Sequence, residues 1–150
     1  MKKILFLFSA LVFSLAAKSQ SQNPVTWVAT YKAISAGEGE IIIQAKIDKG
    51  WHTYSQRPTE AGPIPTSFEF KALPSNYELA GKTVETDAHE EFVKAFDAKI
   101  FVFTDKAEFK QKIKVKGKGG FTVPVKIEFM TCNDMMCLPP KTIELMVKVL

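Results

Sequence analysis

The chain has 150 residues, 46% of them hydrophobic and 24% charged, with a formal net charge of +4 and only two cysteines. Lys2, Lys3 and Lys18 supply three of those charges and no acidic residue precedes Glu38, so a chain cut after Ser19 carries +1. Nothing in that balance argues for nucleic acid or an anionic membrane surface, which would need a clustered basic face. The roughly 130 residues left can bury one core without disulfide support.

Residues 1–19 read as an export signal, with Lys2 and Lys3 at the positive end, an apolar run from Ile4 to Ala17, and small residues at Ala16, Ala17 and Ser19 for cleavage. No second apolar run follows and no cysteine lies near the cleavage region, so a soluble exported domain over residues 20–150 is expected, without a lipid anchor. The next segments alternate apolar and polar residues with the period of a half-buried strand. Trp27 to Ile34 and Glu40 to Ile47 form the first pair, with Ala36-Gly37-Glu38-Gly39 as the turn between them. Trp51 to Tyr54, Thr66 to Leu73, Ile100 to Thr104 and Glu108 to Val115 follow, and Phe121 to Phe129 and Ile143 to Val149 close the chain. About seven to nine short strands joined by Gly- and Pro-containing connections predict an all-β, immunoglobulin-like β-sandwich. The lysines from Lys110 to Lys118 are spaced as the solvated face of such a sheet.

Two connections are long for turns. Tyr54 to Thr66 holds three prolines and should be extended and stiff. Thr83 to Asp97 sets Phe92 and Phe96 among acidic residues, either as a functional cover or as plugs for a core edge. No catalytic triad or paired-carboxylate site is evident. Ser55 lies too close in sequence to His52 to form a nucleophile–base pair by itself, and Gly117-Lys118-Gly119-Gly120 lacks the helix of a phosphate loop.

The organising stretch is Met130 to Val147, where Cys132 and Cys137 flank four residues and Pro139-Pro140 follows. Strands on both sides place the cysteines on opposite arms of a hairpin, with Cα atoms about 4.5–5.5 Å apart, within reach of a disulfide. Closing a loop of about six residues would stabilise the fold by only about 2 kcal/mol. Small closed loops recur where the bond is made and broken in exchange, one thiol being held to resolve what the other has formed. Spacing alone leaves a structural disulfide, a redox pair and a metal site open. Met130, Cys132, Met135, Met136 and Cys137 put five sulfurs in eight residues, so a Cu(I) carrier is the rival of another class. A plain binding sandwich with a structural disulfide is the third reading. His52 and His89 read as surface or packing residues.

Gly50-Trp51-His52 with Tyr54-Ser55, the run Gly62 to Phe68, and above all TCNDMMCLPP from Thr131 to Pro140 resemble the periplasmic N-terminal domain of the thiol:disulfide interchange protein DsbD, a family also labelled disulfide bond corrector protein. The resemblance implies an immunoglobulin-like sandwich that works as a thiol-disulfide oxidoreductase without a bound cofactor or metal. Its electrons would come from the thioredoxin-like domain of a membrane electron transporter and go to periplasmic disulfide isomerases or cytochrome c maturation thiol proteins. By the same resemblance Cys137 forms the mixed disulfide and Cys132 resolves it, with Asn133, Asp134 and Pro139 in the active-site loop. Glu90-Glu91-Phe92 matches the family's acidic-acidic-Phe cap, making Phe92 the expected cap residue, and Tyr54 matches an aromatic position beside the pair. The cysteine loop is one residue shorter than in the family's enterobacterial members, and Leu138 stands where those have an aromatic. A monomer is expected.

No histidine or arginine adjoins the cysteines in sequence, whereas Asp134 lies between them and Glu90 and Glu91 belong to the expected cover. Nearby carboxylates disfavour a thiolate, so the pair should stay unreactive until a partner moves the cap.

Overall fold

The computed structural model describes residues 23–60, 62–117 and 120–150, and the expected export signal lies outside them. Eleven strands follow in order: β1 (Val25–Ser35), β2 (Glu38–Ile47), β3 (His52–Tyr54), β4 (Ser67–Phe70), β5 (Tyr77–Leu79), β6 (Val84–Thr86), β7 (His89–Val93), β8 (Ala98–Thr104), β9 (Lys106–Val115), β10 (Phe121–Cys132) and β11 (Cys137–Val149). A 3-10 turn, Lys94–Phe96, separates β7 from β8. Among the described residues no helix is long and apolar enough to cross a membrane.

The strands form two antiparallel sheets. One runs β1-β2-β9-β5, with β6 also paired to β9; the other runs β11-β10-β3-β8-β7, with β4 also paired to β10. Period-two burial makes each sheet one-sided: Ile41, Ile43, Ala45 and Ile47 of β2 turn inward, as do Val123, Val125, Ile127 and Phe129 of β10. The core between the sheets is aromatic at its centre, where Phe109 of β9 meets Trp27, Phe68 and Phe103 with ring centroids 5.9, 4.7 and 5.2 Å away. Gly37, at a φ of 77°, makes the tight β1–β2 turn. The turn is shorter than Ala36–Gly39 because β2 already begins at Glu38.

The segment Thr83–Asp97, expected as one long connection, carries β6, β7 and the 3-10 turn. No alternation announces β7, because four of its five residues are exposed and only Val93 is buried. Pairing with β8, rather than burial of a face, holds it extended. Asp97 ends the 3-10 turn in the left-handed region at a φ of 50°, which aspartate tolerates better than most residues.

Pro139 and Pro140 lie on β11, an edge strand of its sheet, where an N–H facing away from β10 has no ladder bond to lose. They also occupy a bulge: Phe129 faces Lys141, but Thr131 faces Leu138. Beyond that bulge the strands converge on the two cysteines.

Candidate functional site

Cys132 ends β10, Cys137 begins β11, and the two are register partners joined by a disulfide, with Cα atoms 4.0 Å apart. Asn133 shapes the loop between them. Its N–H donates to the Met136 carbonyl (2.9 Å), and its side-chain oxygen accepts the N–H groups of Met135 (2.9 Å) and Met136 (2.8 Å). Asp134 and Met135 are left exposed at the tip, with Met135 89% exposed and Met136 47% exposed. Met135 thus projects into solvent. Among the described residues no group of three His, Cys, Asp or Glu side chains is arranged to hold a metal ion.

The two cysteines differ in environment. Cys132 is 0% exposed, whereas Cys137 is half-buried. Along β10, Phe129 enters the main core, while Cys132 joins a second cluster with Tyr54, Val93, Ile100 and Val102. Alternation along β8 says the same, since Val102 belongs to the second cluster and Phe103 to the main one. The disulfide therefore lies on the outer face of its sheet, outside the inter-sheet core. Part of the cover comes from Phe96 in the 3-10 turn, whose ring stands edge-on to Tyr54 at 6.1 Å between centroids.

Of the expected cap residues, Glu91 is on the cysteine side: register pairs it with Ile100, and its carboxylate acts on both His52 and Tyr54. Glu90 and Phe92 pair with Phe101 and Lys99, which puts them on the other face of the same sheet. Glu90 binds the Lys99 ammonium there (3.2 Å), and Phe92 is 54% exposed. Phe96, not Phe92, is thus the aromatic packed on Tyr54. Pro139 is exposed within the bulge beside the pair.

Tyr54 is almost completely buried, and burial, followed by the Glu91 carboxylate, pushes its phenol well above the ordinary range, so it stays neutral. The end of β3 is anchored from the other sheet by Glu85 of β6. That carboxylate accepts the Gln56 N–H (2.8 Å), takes a hydrogen bond from the Ser55 hydroxyl, and pairs with Arg57 (3.4 Å), whose guanidinium lies 3.9 Å above the Phe101 ring. Ser55 is thereby committed to structure.

One residue that sequence reading set aside as a surface or packing group joins the site. His52 is the register partner of Cys132, is 9% exposed, and has its Nε2 3.0 Å from the Tyr54 hydroxyl. The available signal was its two-residue offset from Tyr54, which puts both side chains on one face of a strand.

The family described as Thiol:disulfide interchange protein DsbD, N-terminal, matches residues 20–148. Among curated proteins, none matches the chain. Similar solved structures include the DsbD N-terminal domain of Neisseria meningitidis in the reduced form, at 14% identity and a TM-score of 0.55, covering 82% of this chain and 85% of that one. The N-terminal periplasmic domain of ScsB from Proteus mirabilis is similar at 15% identity and a TM-score of 0.57, covering 81% of this chain and 44% of that one. A third is the complex between the DsbD and PilB N-terminal domains of Neisseria meningitidis, at 13% identity and a TM-score of 0.51, covering 80% of each chain. These likenesses establish the immunoglobulin-like sandwich, and the profile match across nearly the whole described chain establishes its kinship: this protein belongs to the DsbD N-terminal domain family.

Proposed function

We propose that the chain is a periplasmic thiol–disulfide exchange protein that passes two electrons through Cys132 and Cys137. It takes them from the thioredoxin-like domain of a membrane electron transporter and delivers them to disulfide isomerases or cytochrome c maturation thiol proteins, acting as an exported monomer once residues 1–19 are removed. The observation that carries the reading is the asymmetry of the pair: a partly buried Cys137 bonded to a Cys132 with no exposed surface. Attack by Cys137 and resolution by Cys132 follow from that order of access. Family membership and the periplasmic description of the ScsB domain support the compartment. A stabilising role is poorly served here, since the bond closes a short loop outside the main core and stabilises it by only about 2 kcal/mol.

Equilibration with glutathione should place the reduction potential of the pair between about −180 and −270 mV, in the range of exchange proteins, whereas a value below about −300 mV would mark a structural bond and defeat the proposal.

The cover is the second part of the reading. Phe96 and Glu91 shield the outer face, and displacing the 3-10 turn opens it. An edge-to-face aromatic pair holds about 0.5–1.5 kcal/mol beyond its area burial, so Phe96→Ala should speed reduction of the disulfide by dithiothreitol about tenfold. Phe92→Ala should leave that rate unchanged. Acceleration by Phe92→Ala alone would return the cap role to Phe92.

A further inference from the structure

A thiol sealed in apolar surroundings resists ionisation, yet only the thiolate attacks a disulfide. Cys132 has this difficulty more than Cys137 does, because it is fully buried and must act while a partner is still attached to Cys137. With no exposed surface of its own it meets solvent base only rarely, so an acceptor on the same face would speed the loss of its proton.

His52 is in that place. Cross-strand register sets it directly opposite Cys132, and side chains of opposed residues on one face have Cβ atoms about 4.5–5.5 Å apart. In the tautomer whose Nε2–H donates to the Tyr54 hydroxyl, 3.0 Å away, the Nδ1 lone pair is free to take a proton. Tyr54 stays neutral and orients the ring. The residue paired with His52 from β8 is Thr104, which carries no charge; the charged groups that act on His52 are Glu91 of β7 and Asp134 of the hairpin tip. Both carboxylates stabilise the imidazolium once it forms.

Resting on the exchange function proposed above, we infer that His52 is the general base for Cys132, taking its proton as the mixed disulfide is resolved. In the first step the Cys137 thiolate bonds to one sulfur of the partner's disulfide and expels the other as a thiolate. In the second, the Cys132 thiol gives its proton to His52, its sulfur bonds to Cys137 Sγ, and the partner's remaining sulfur leaves as a thiolate. The Cys132–Cys137 bond has formed, the imidazolium returns its proton to the departing sulfur, and the thiolate expelled first takes from solvent the proton that Cys137 had released, so the partner's disulfide has become two thiols. Two electrons have moved from the cysteine pair to the partner.

Burial holds the His52 imidazole below its usual value of 6.5, opposed by Glu91 and then Asp134, so it is a neutral base at pH 7. The resolution rate should therefore fall about tenfold per pH unit below that lowered pKa and level off above it, up to the ionisation of Cys132 itself. Without the imidazole, hydroxide must take the proton and the rate should climb about tenfold per unit across the whole range.

The test is stopped-flow oxidation of the reduced protein by 5,5′-dithiobis(2-nitrobenzoate) from pH 5 to 8.5, where the first release of chromophore reports attack by Cys137 and the second reports resolution by Cys132. The wild type should show a plateau in the second phase; His52→Gln and His52→Asn should lose it and be slower about a hundredfold at pH 7, with the first phase unchanged. A wild-type profile with no plateau overturns the inference without recourse to a variant, and a Gln or Asn profile that superimposes on the wild type overturns it as well. If the wild type shows no second phase at all, the exchange reading itself falls.

Discussion

Cys132→Ser should trap a partner covalently, whereas Cys137→Ser should abolish exchange altogether. The two sulfurs are neighbours in one bond but not in access: Cys137 is half-buried at the start of β11, and Cys132 is closed off behind it. With serine at 132, Cys137 can still attack, and the resulting mixed disulfide has no thiol to resolve it. With serine at 137, the remaining thiol faces Tyr54, Ile100 and Val102 rather than solvent, so exchange with a disulfide substrate should fall by about three orders of magnitude or more. Non-reducing electrophoresis after incubation with a thioredoxin-like protein would show a cross-linked band for Cys132→Ser only. The opposite pattern, with the band for Cys137→Ser, would reverse the roles assigned to the two cysteines.

For stability, the largest expected loss comes from Phe109→Ala. Phe109 lies on β9 in one sheet, is fully buried, and touches Phe68 of β4 and Phe103 of β8 in the other, as well as Trp27 of its own sheet. Truncating a phenylalanine so placed removes the ring's transfer energy and leaves a cavity, at a cost of about 3–5 kcal/mol. A domain of this kind has only about 5–15 kcal/mol in total, so the variant should be partly unfolded at modest urea. Reducing the disulfide in the wild type should cost only about 2 kcal/mol by comparison. Urea unfolding of the oxidised variant, the oxidised wild type and the reduced wild type ranks the two effects directly. A larger loss on reduction than on Phe109→Ala would mean that the hairpin bond, and not the aromatic centre, holds the sandwich together.

The two effects separate because the site is built outside the core it depends on. Phe129 and Cys132 share a strand, yet one is packed between the sheets and the other beneath the 3-10 turn. The outer cluster therefore shares none of its buried residues with the cluster of Trp27, Phe109 and Phe129. That arrangement suits a bond that must be formed and broken repeatedly.

Alternation was legible wherever a strand buries one face, as in β2, β9 and β10, because each such residue reports its own burial through its hydrophobicity. It failed for β5, β6 and β7, which are short, bury at most one residue each and are held by pairing with β9 or β8. The cysteine hairpin was legible for a local reason: two strands meeting at a short loop leave little freedom in how its ends face each other. The tripeptide Glu90-Glu91-Phe92 carried a motif, but a strand sends neighbouring side chains to opposite faces, so only Glu91 turns towards the cysteines.

By itself, then, the amino-acid sequence determined an all-β domain and the closeness of Cys132 and Cys137, since periodicity and loop length act over a few residues. Tertiary structure alone decided that His52 stands opposite Cys132 and that Phe96 packs on Tyr54. Those facts depend on the register of β3 against β10 and on how the 3-10 turn packs over the sheet. Register between strands far apart in the chain is set by the whole buried face at once, and no local stretch of residues encodes it.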